Sequence, residues 1–153
     1  MGCGFCGCYQ PTSKKDWCEV HIITTNEYLT RWVEANQVKD CIVVMAAKFL
    51  FENVVTRFGF PRILLSDQGS HFLNEAIAEL TEVFQIHHSK STLYHPQANG
   101  TVEAFNKILE QALTKVCNVQ RDDWNLRVLV ILWAYKTTCK KLTWHTPFRL
   151  VYG

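Results

Sequence analysis

Two carboxylates lie in surroundings that suit chemistry. Asp67 ends the short apolar run RILLS at 62–66, and Gly69 follows to allow a tight turn. Thirty-five residues separate it from Glu103, which stands at the start of a helical pattern. The loop before Glu103 is dense in functional side chains: Tyr94, His95, Pro96, Gln97, Asn99 and Gly100. Converging carboxylates offer hard oxygen ligands of the kind Mg2+ takes. Two ions held in this way activate a water and stabilise a phosphoryl transition state. Each acid also has a plainer reading. Asp67 could start a turn or cap a helix. Glu103 shares a stripe with Lys107, Glu110 and Thr114, the pattern of a solvated helix face with one Glu–Lys pair. Its place in a first turn suits a carboxylate, because helix N-termini are electropositive.

Such a pair needs a scaffold that brings a strand end to a helix start. Residues 21–25 and 32–35 read as short strands. From about residue 40 to 58, Ile42, Met45, Phe49, Glu52 and Val55 recur at helical intervals, and Gly59 and Pro61 stop the run. RILLSD is a strand that ends in a carboxylate. Phe72, Ala76, Leu80 and Phe84 then repeat at four-residue steps, which predicts a second helix. FQIHHS predicts a short strand. A third helix is expected over 101–117, with Val102, Phe105, Leu109, Ala112 and Val116 as its buried stripe. The last helix is expected over 124–137. Its run VLVILWAY is ambiguous by pattern, but its length and lack of Gly or Pro favour helix. Strands followed by alternating helices and strands predict a mixed α/β domain around one sheet. Ligands of open sheets bind at carboxyl strand ends, which is where Asp67 falls.

Composition narrows the classes. The chain has 153 residues, enough for one domain, and 48% of them are apolar, enough for a sizeable core. Sixteen basic and fourteen acidic residues give +2, which neither announces nor excludes nucleic-acid binding. No apolar run reaches the roughly 18 residues of a membrane span. The segment after Met1 has neither the basic start nor the apolar core of a signal peptide. The cysteines number seven, an odd count, and Cys41 lies amid apolar residues; reduced thiols in an intracellular compartment are expected. CGFCGC contains one C-x-x-C half-site, but no second Cys/His pair completes it. His87 and His88 are adjacent and diverge on a strand, so no zinc is expected. Residues 1–19 are the atypical part of the chain.

The stretches EYLTRWVEA, FGFPRILLSDQGSHF, YHPQANGTVEAFNKIL, LWAYKTT and TPFRLVYG run from 27 to 153, over four fifths of the chain. Together they resemble the catalytic core of a retroelement integrase, of the gypsy-like long-terminal-repeat retrotransposon kind closest to retroviruses. The separation of Asp67 from Glu103 matches that family's spacing between its second Asp and its Glu. The resemblance implies a ribonuclease H-like fold over 1–153, a central mixed sheet flanked by helices. It implies DNA integration by a polynucleotidyl transferase that trims element ends and joins them to target DNA. Three carboxylates and Mg2+ or Mn2+ would serve this, with Asp67 and Glu103 as catalytic and metal-holding residues. DNA would be the partner, a homo-oligomer is possible, no membrane is involved, and the nucleus would be the place of action. The HPQANGTVEAFNK block favours integrase over a ribonuclease H acting on RNA–DNA hybrids. The family's zinc-binding and C-terminal DNA-binding domains fall outside 1–153.

The family's first acid has no counterpart here. Its first strand typically reads Asp-Phe-x-Gly-Pro. GFCGC at 4–8 matches with Phe5 and Gly7, which puts Gly4 at the Asp and Cys8 at the Pro. Glycine has no side chain to hold a metal. Asp16, Glu27 and Asp40 lie elsewhere in the pattern: before the second strand, past it, and at a helix N-cap. Only three residues precede Gly4, so the first strand is expected to be truncated, leaving neighbouring backbone groups unpaired. Metal occupancy is therefore in question and catalysis is expected to be impaired, as in a decayed element copy. The alternative is a non-catalytic nucleic-acid-binding or protein-interaction remnant that keeps the fold. DNA contact would run through phosphates and loops, with His95, Gln97, Asn106 and Lys107 as candidates. Lys107 could equally form a surface salt bridge to Glu103, worth little. Trp133 and Tyr135 read as packing residues. Trp144 stands where relatives commonly have Gly.

Overall fold

The protein is described by a computed structural model over residues 3–9, 21–38, 43–66, 75–90, 96–116 and 124–153. Five strands form one sheet in the order β3-β2-β1-β4-β5. They are β1 (Cys3–Tyr9), β2 (His21–Glu27), β3 (Val33–Val38), β4 (Ile63–Ser66) and β5 (His87–Lys90). β1, β2 and β3 pair antiparallel, while β4 runs parallel to both β1 and β5. The sheet is therefore mixed, as expected. β1, expected to be cut short, runs seven residues and is as long as β2. Its pairing is interrupted once. Cys3 lies opposite Glu27 and Cys6 opposite Thr25, so Gly4 and Phe5 together oppose Asn26 in a bulge.

Neighbouring residues on a strand point to opposite faces, and β2 uses both. Ile23, with Leu64 of β4, packs on Ala46, Phe49, Leu50, Val54, Ile77 and Ile86. Ile22, with Val33 and Ala35 of β3, packs on Phe105, Leu109, Leu113, Val128, Ile131 and Leu132. Helices thus cover both faces. One layer holds α1 (Val43–Leu50) and α3 (Glu75–Val83); the other holds α4 (Pro96–Val116) and α5 (Trp124–Thr137). α5 has the bounds read from the sequence. The expected helix before Gly59 is a continuous run: α1, a π-helical turn Phe51–Val55, and α2 (Thr56–Phe58). Gly59 ends it at φ 79°, a left-handed conformation that favours glycine. In α3 the fully buried residue is Ile77, with Leu80 and Phe84 partly buried beside it; Phe72 lies outside the described residues.

A short α6 (Pro147–Tyr152) was not foreseen. Thr146 caps it by accepting from the Arg149 N–H, and Pro147 takes the first helical position. Its Tyr152 meets Trp32 edge-on at 5.5 Å. Beneath lies a buried carboxylate, Glu34. It accepts from the Trp32 indole (2.8 Å), from Lys136 of α5 (2.9 Å) and from Arg57 of α2. These bonds tie both helical layers to the edge strand β3. No helix among the described residues is long and apolar enough to cross a membrane.

Candidate active site

α4 begins at Pro96, five residues before the expected start. Glu103 is therefore its eighth residue, two turns in, and not a first-turn acid. The helix macrodipole therefore does not favour its carboxylate, since that effect fades within the first turn. The sequence misled because Asn99 and Gly100 are weak helix formers. Pro96, however, is well placed at a first helical position, where no N–H is needed.

The helix faces follow the period expected. Val102, Phe105, Leu109 and Leu113 are buried, while Glu103, Lys107, Glu110 and Thr114 are exposed. One stripe residue is corrected. Val116 is exposed, and Leu113 occupies the buried position in its place, because the longer helix follows the 3.6-residue period inward from Leu109. Glu103 and Lys107 share the open face, and no ion pair joins them. Asn106 is half-buried and takes a long hydrogen bond from the Thr24 hydroxyl of β2 (3.4 Å). Arg31, left-handed at φ 61° in the β2–β3 turn, donates to the Thr101 hydroxyl at 2.7 Å. These two bonds lay the first half of α4 across β2. Sequence reading missed both, because nothing local marks a contact 70 or 82 residues away.

The other acids are placed as follows. Asp67 directly follows Ser66, the last residue of β4, and lies outside the described residues, as do His95, Asp16 and Asp40. The Asp67–Glu103 separation therefore lies outside them as well. Gln97 falls in the first turn of α4, with its side chain outside the described part. Gly4 lies on β1, the strand beside β4, with Cys6 opposite Ser66. Glu27 is committed elsewhere. Its carboxylate accepts from the Leu29 N–H (3.1 Å), the Thr30 N–H (2.7 Å) and the Thr30 hydroxyl (2.6 Å), and so builds the β2–β3 turn. His88 and the Ser66 hydroxyl share a hydrogen bond of 2.8 Å, while His87 points to solvent, so the adjacent histidines do diverge.

Asn26 stands out. It is 2% exposed, and among the described residues neither its amide nitrogen nor its carbonyl oxygen has a hydrogen-bond partner. Buried polar groups are nearly always satisfied. This one sits opposite the Gly4–Phe5 bulge. Among the described residues no three His, Cys, Asp or Glu side chains group as metal ligands. The donors described on this side are one exposed carboxylate, Glu103, and a neutral carboxamide. Asp67 lies outside the described residues, so these donors are only part of the set that the resemblance implies.

The order β3-β2-β1-β4-β5 with helices on both faces is the ribonuclease H-like fold of integrase catalytic cores. The catalytic core of bovine immunodeficiency virus (BIV) integrase superposes with TM-score 0.74 at 20% identity, covering 98% of this chain and 94% of that one. The HTLV-2 integrase catalytic core, solved in complex with magnesium in a trimeric form, superposes with TM-score 0.77 at 16% identity, covering 99% and 98%. No family model matches the chain. Its sequence is similar to the Gag-Pol polyprotein of feline leukemia virus, 30% identical over 125 residues, which cover 80% of this chain and 7% of the polyprotein. The Retrovirus-related Pol polyprotein from transposon 412 of Drosophila melanogaster is 23% identical over 143 residues, 94% of this chain and 12% of that protein. The chain thus spans a small part of the polyproteins it matches.

Proposed function

We propose that residues 1–153 form an integrase-type catalytic core of gypsy-like descent that keeps its nucleic-acid contacts and has lost most of its strand-transfer activity. One observation carries this reading: α4 is fastened across β2 with Glu103 exposed. By the resemblance, Gly4 on β1 falls at the position of the first acid. Asp67 and Glu103 are the remaining acids that would hold Mg2+ or Mn2+. Gly4 offers them no third. The Asn26 carboxamide, opposite the Gly4–Phe5 bulge and without a hydrogen-bond partner among the described residues, supports an altered site. Positioning contributes much of such chemistry, and an ångström of slack costs about a hundredfold. His95, Gln97, Asn106 and Lys107 are assigned to DNA contact; Gln97 lies in the first turn of α4, and Asn106 and Lys107 lie near its middle. The domain would act on DNA in the nucleus, and as a homo-oligomer if copies of it pair.

A labelled DNA duplex titrated at several salt concentrations tests the partner class. Phosphate contacts release counterions, so affinity should fall steeply with salt, and Lys107→Ala should shallow the dependence by about one unit of slope. Tight binding that ignores salt would overturn the reading. Binding without any end joining, even after Gly4→Asp, would favour a non-catalytic nucleic-acid-binding remnant, a reading that Gly4 itself supports.

A further inference from the structure

Charge is divided unevenly along this chain. Five of the sixteen basic residues, and none of the fourteen acidic ones, lie within 124–153. The last thirty residues therefore carry +5 and the rest −3. Lys136 spends its charge on buried Glu34. Lys140 and Lys141 lie in the turn between α5 and α6, Arg149 lies in α6, and among the described residues none of the three is in an ion pair.

The same turn exposes two large apolar side chains, Leu142 and Trp144, each at 79%. It is closed by its own hydrogen bonds. The Lys140 N–H donates to the His145 carbonyl (3.0 Å), and the Trp144 N–H to the Lys140 carbonyl (2.8 Å). The Thr143 hydroxyl also donates to the His145 carbonyl (3.1 Å). Trp144 is held left-handed at φ 56°, a conformation that a bulky residue takes only at a cost. Packing does not account for a strained indole held in solvent. A flat exposed ring in a turn that also contains Lys140 and Lys141 is suited to stack a nucleic-acid base while cations of the same turn meet its phosphates.

The turn adjoins the part of α4 that presents Glu103. The Lys140 ammonium stands 3.2 Å from the centre of the Tyr135 ring. Tyr135 meets Phe105 edge-on at 4.9 Å, and Phe105 is two residues along α4 from Glu103. We infer that the α5–α6 turn is a separate site for single-stranded DNA, with a base stacked on Trp144 and phosphates on Lys140 and Lys141. The inference rests on the nucleic-acid reading above for its class of partner. It adds a single-strand site on residues which that reading does not use.

The test is binding of a labelled single-stranded oligothymidylate by the whole chain, beside the duplex titration. Trp144→Gly should weaken single-strand binding about tenfold, within the range that one stacked base contributes. Glycine accepts a positive φ, so this variant should fold at least as well as the parent, and a thermal melt checks it. Trp144→Phe should restore part of the loss. The double change Lys140→Gln with Lys141→Gln should reduce the salt slope by about one to one and a half. Duplex affinity should be little changed by Trp144→Gly. Undiminished single-strand binding by a folded Trp144→Gly variant would overturn the inference, leave the duplex reading standing, and leave the exposed indole to a protein partner. A parent chain that binds neither form of DNA would sink both readings.

Discussion

Asn26 lies opposite a bulge that contains Gly4 and Phe5. A glycine stands in the strand where the resemblance expects an acid, and the buried amide opposite the bulge has no partner among the described residues. Glu34 shows the contrary case, a buried carboxylate with every donor it needs. Burial holds the Lys136 ammonium below its ordinary pKa, and the hydrogen bond and charge of Glu34 oppose that shift. Glu34→Ala should cost about 3 kcal/mol in a denaturant melt, since it strands Lys136 in a buried place and leaves Arg57 without its carboxylate. Lys140 gives a pH signature. Burial lowers its pKa to about 8, against 10.5 for a free lysine, and the charge of the neighbouring Cys139 as a thiolate opposes the shift. The folded state then binds fewer protons than the unfolded state between those values. Stability should rise with pH from about 8 towards 10, and Lys140→Met should flatten that rise in melts across the range. A parent whose stability falls over the same interval would contradict the assignment.

Among the elements, α4 is where the sequence was hardest to read. Its buried stripe was legible because Val102, Phe105 and Leu109 recur at the helical period. Its start was not, because Asn99 and Gly100 speak locally for a loop while the docked helix overrides them. Gly100 is the fifth residue of α4, and a Cβ there would meet no atom within 4 Å. Gly100→Ala should therefore stabilise the protein by about 0.5–1 kcal/mol, read as a raised melting temperature. A loss of stability would return the helix start to Thr101. α6 was missed for another reason. Thr146 and Pro147 are a readable cap and first turn, but six residues carry too little periodicity to register. α5 was read with its true bounds, since fourteen residues without Gly or Pro leave few alternatives. The strand of β1 was legible chiefly through resemblance, as its Cys- and Gly-rich sequence has little β character of its own.

At the scale of the whole molecule, one mixed sheet between two helical layers sets β1, β4 and α4 side by side. The fold class was legible from the order of strands and helices. Asp67 and Glu103 were readable as a candidate pair only through a family spacing, because no local pattern says which strand end meets which helix; Asp67 lies outside the described residues. On the proposed reading the fold persists while Gly4, in place of an acid, leaves strand transfer without its third carboxylate. Single-turnover joining of a labelled DNA end, with Mg2+ or Mn2+, tests this most directly across the parent chain, Gly4→Asp and an Asp67→Asn blank. The account predicts that the parent stays within a few-fold of the blank, while Gly4→Asp rises about a hundredfold or more above it. Robust joining by the parent that Asp67→Asn abolishes would contradict the account and assign the third acid to another residue.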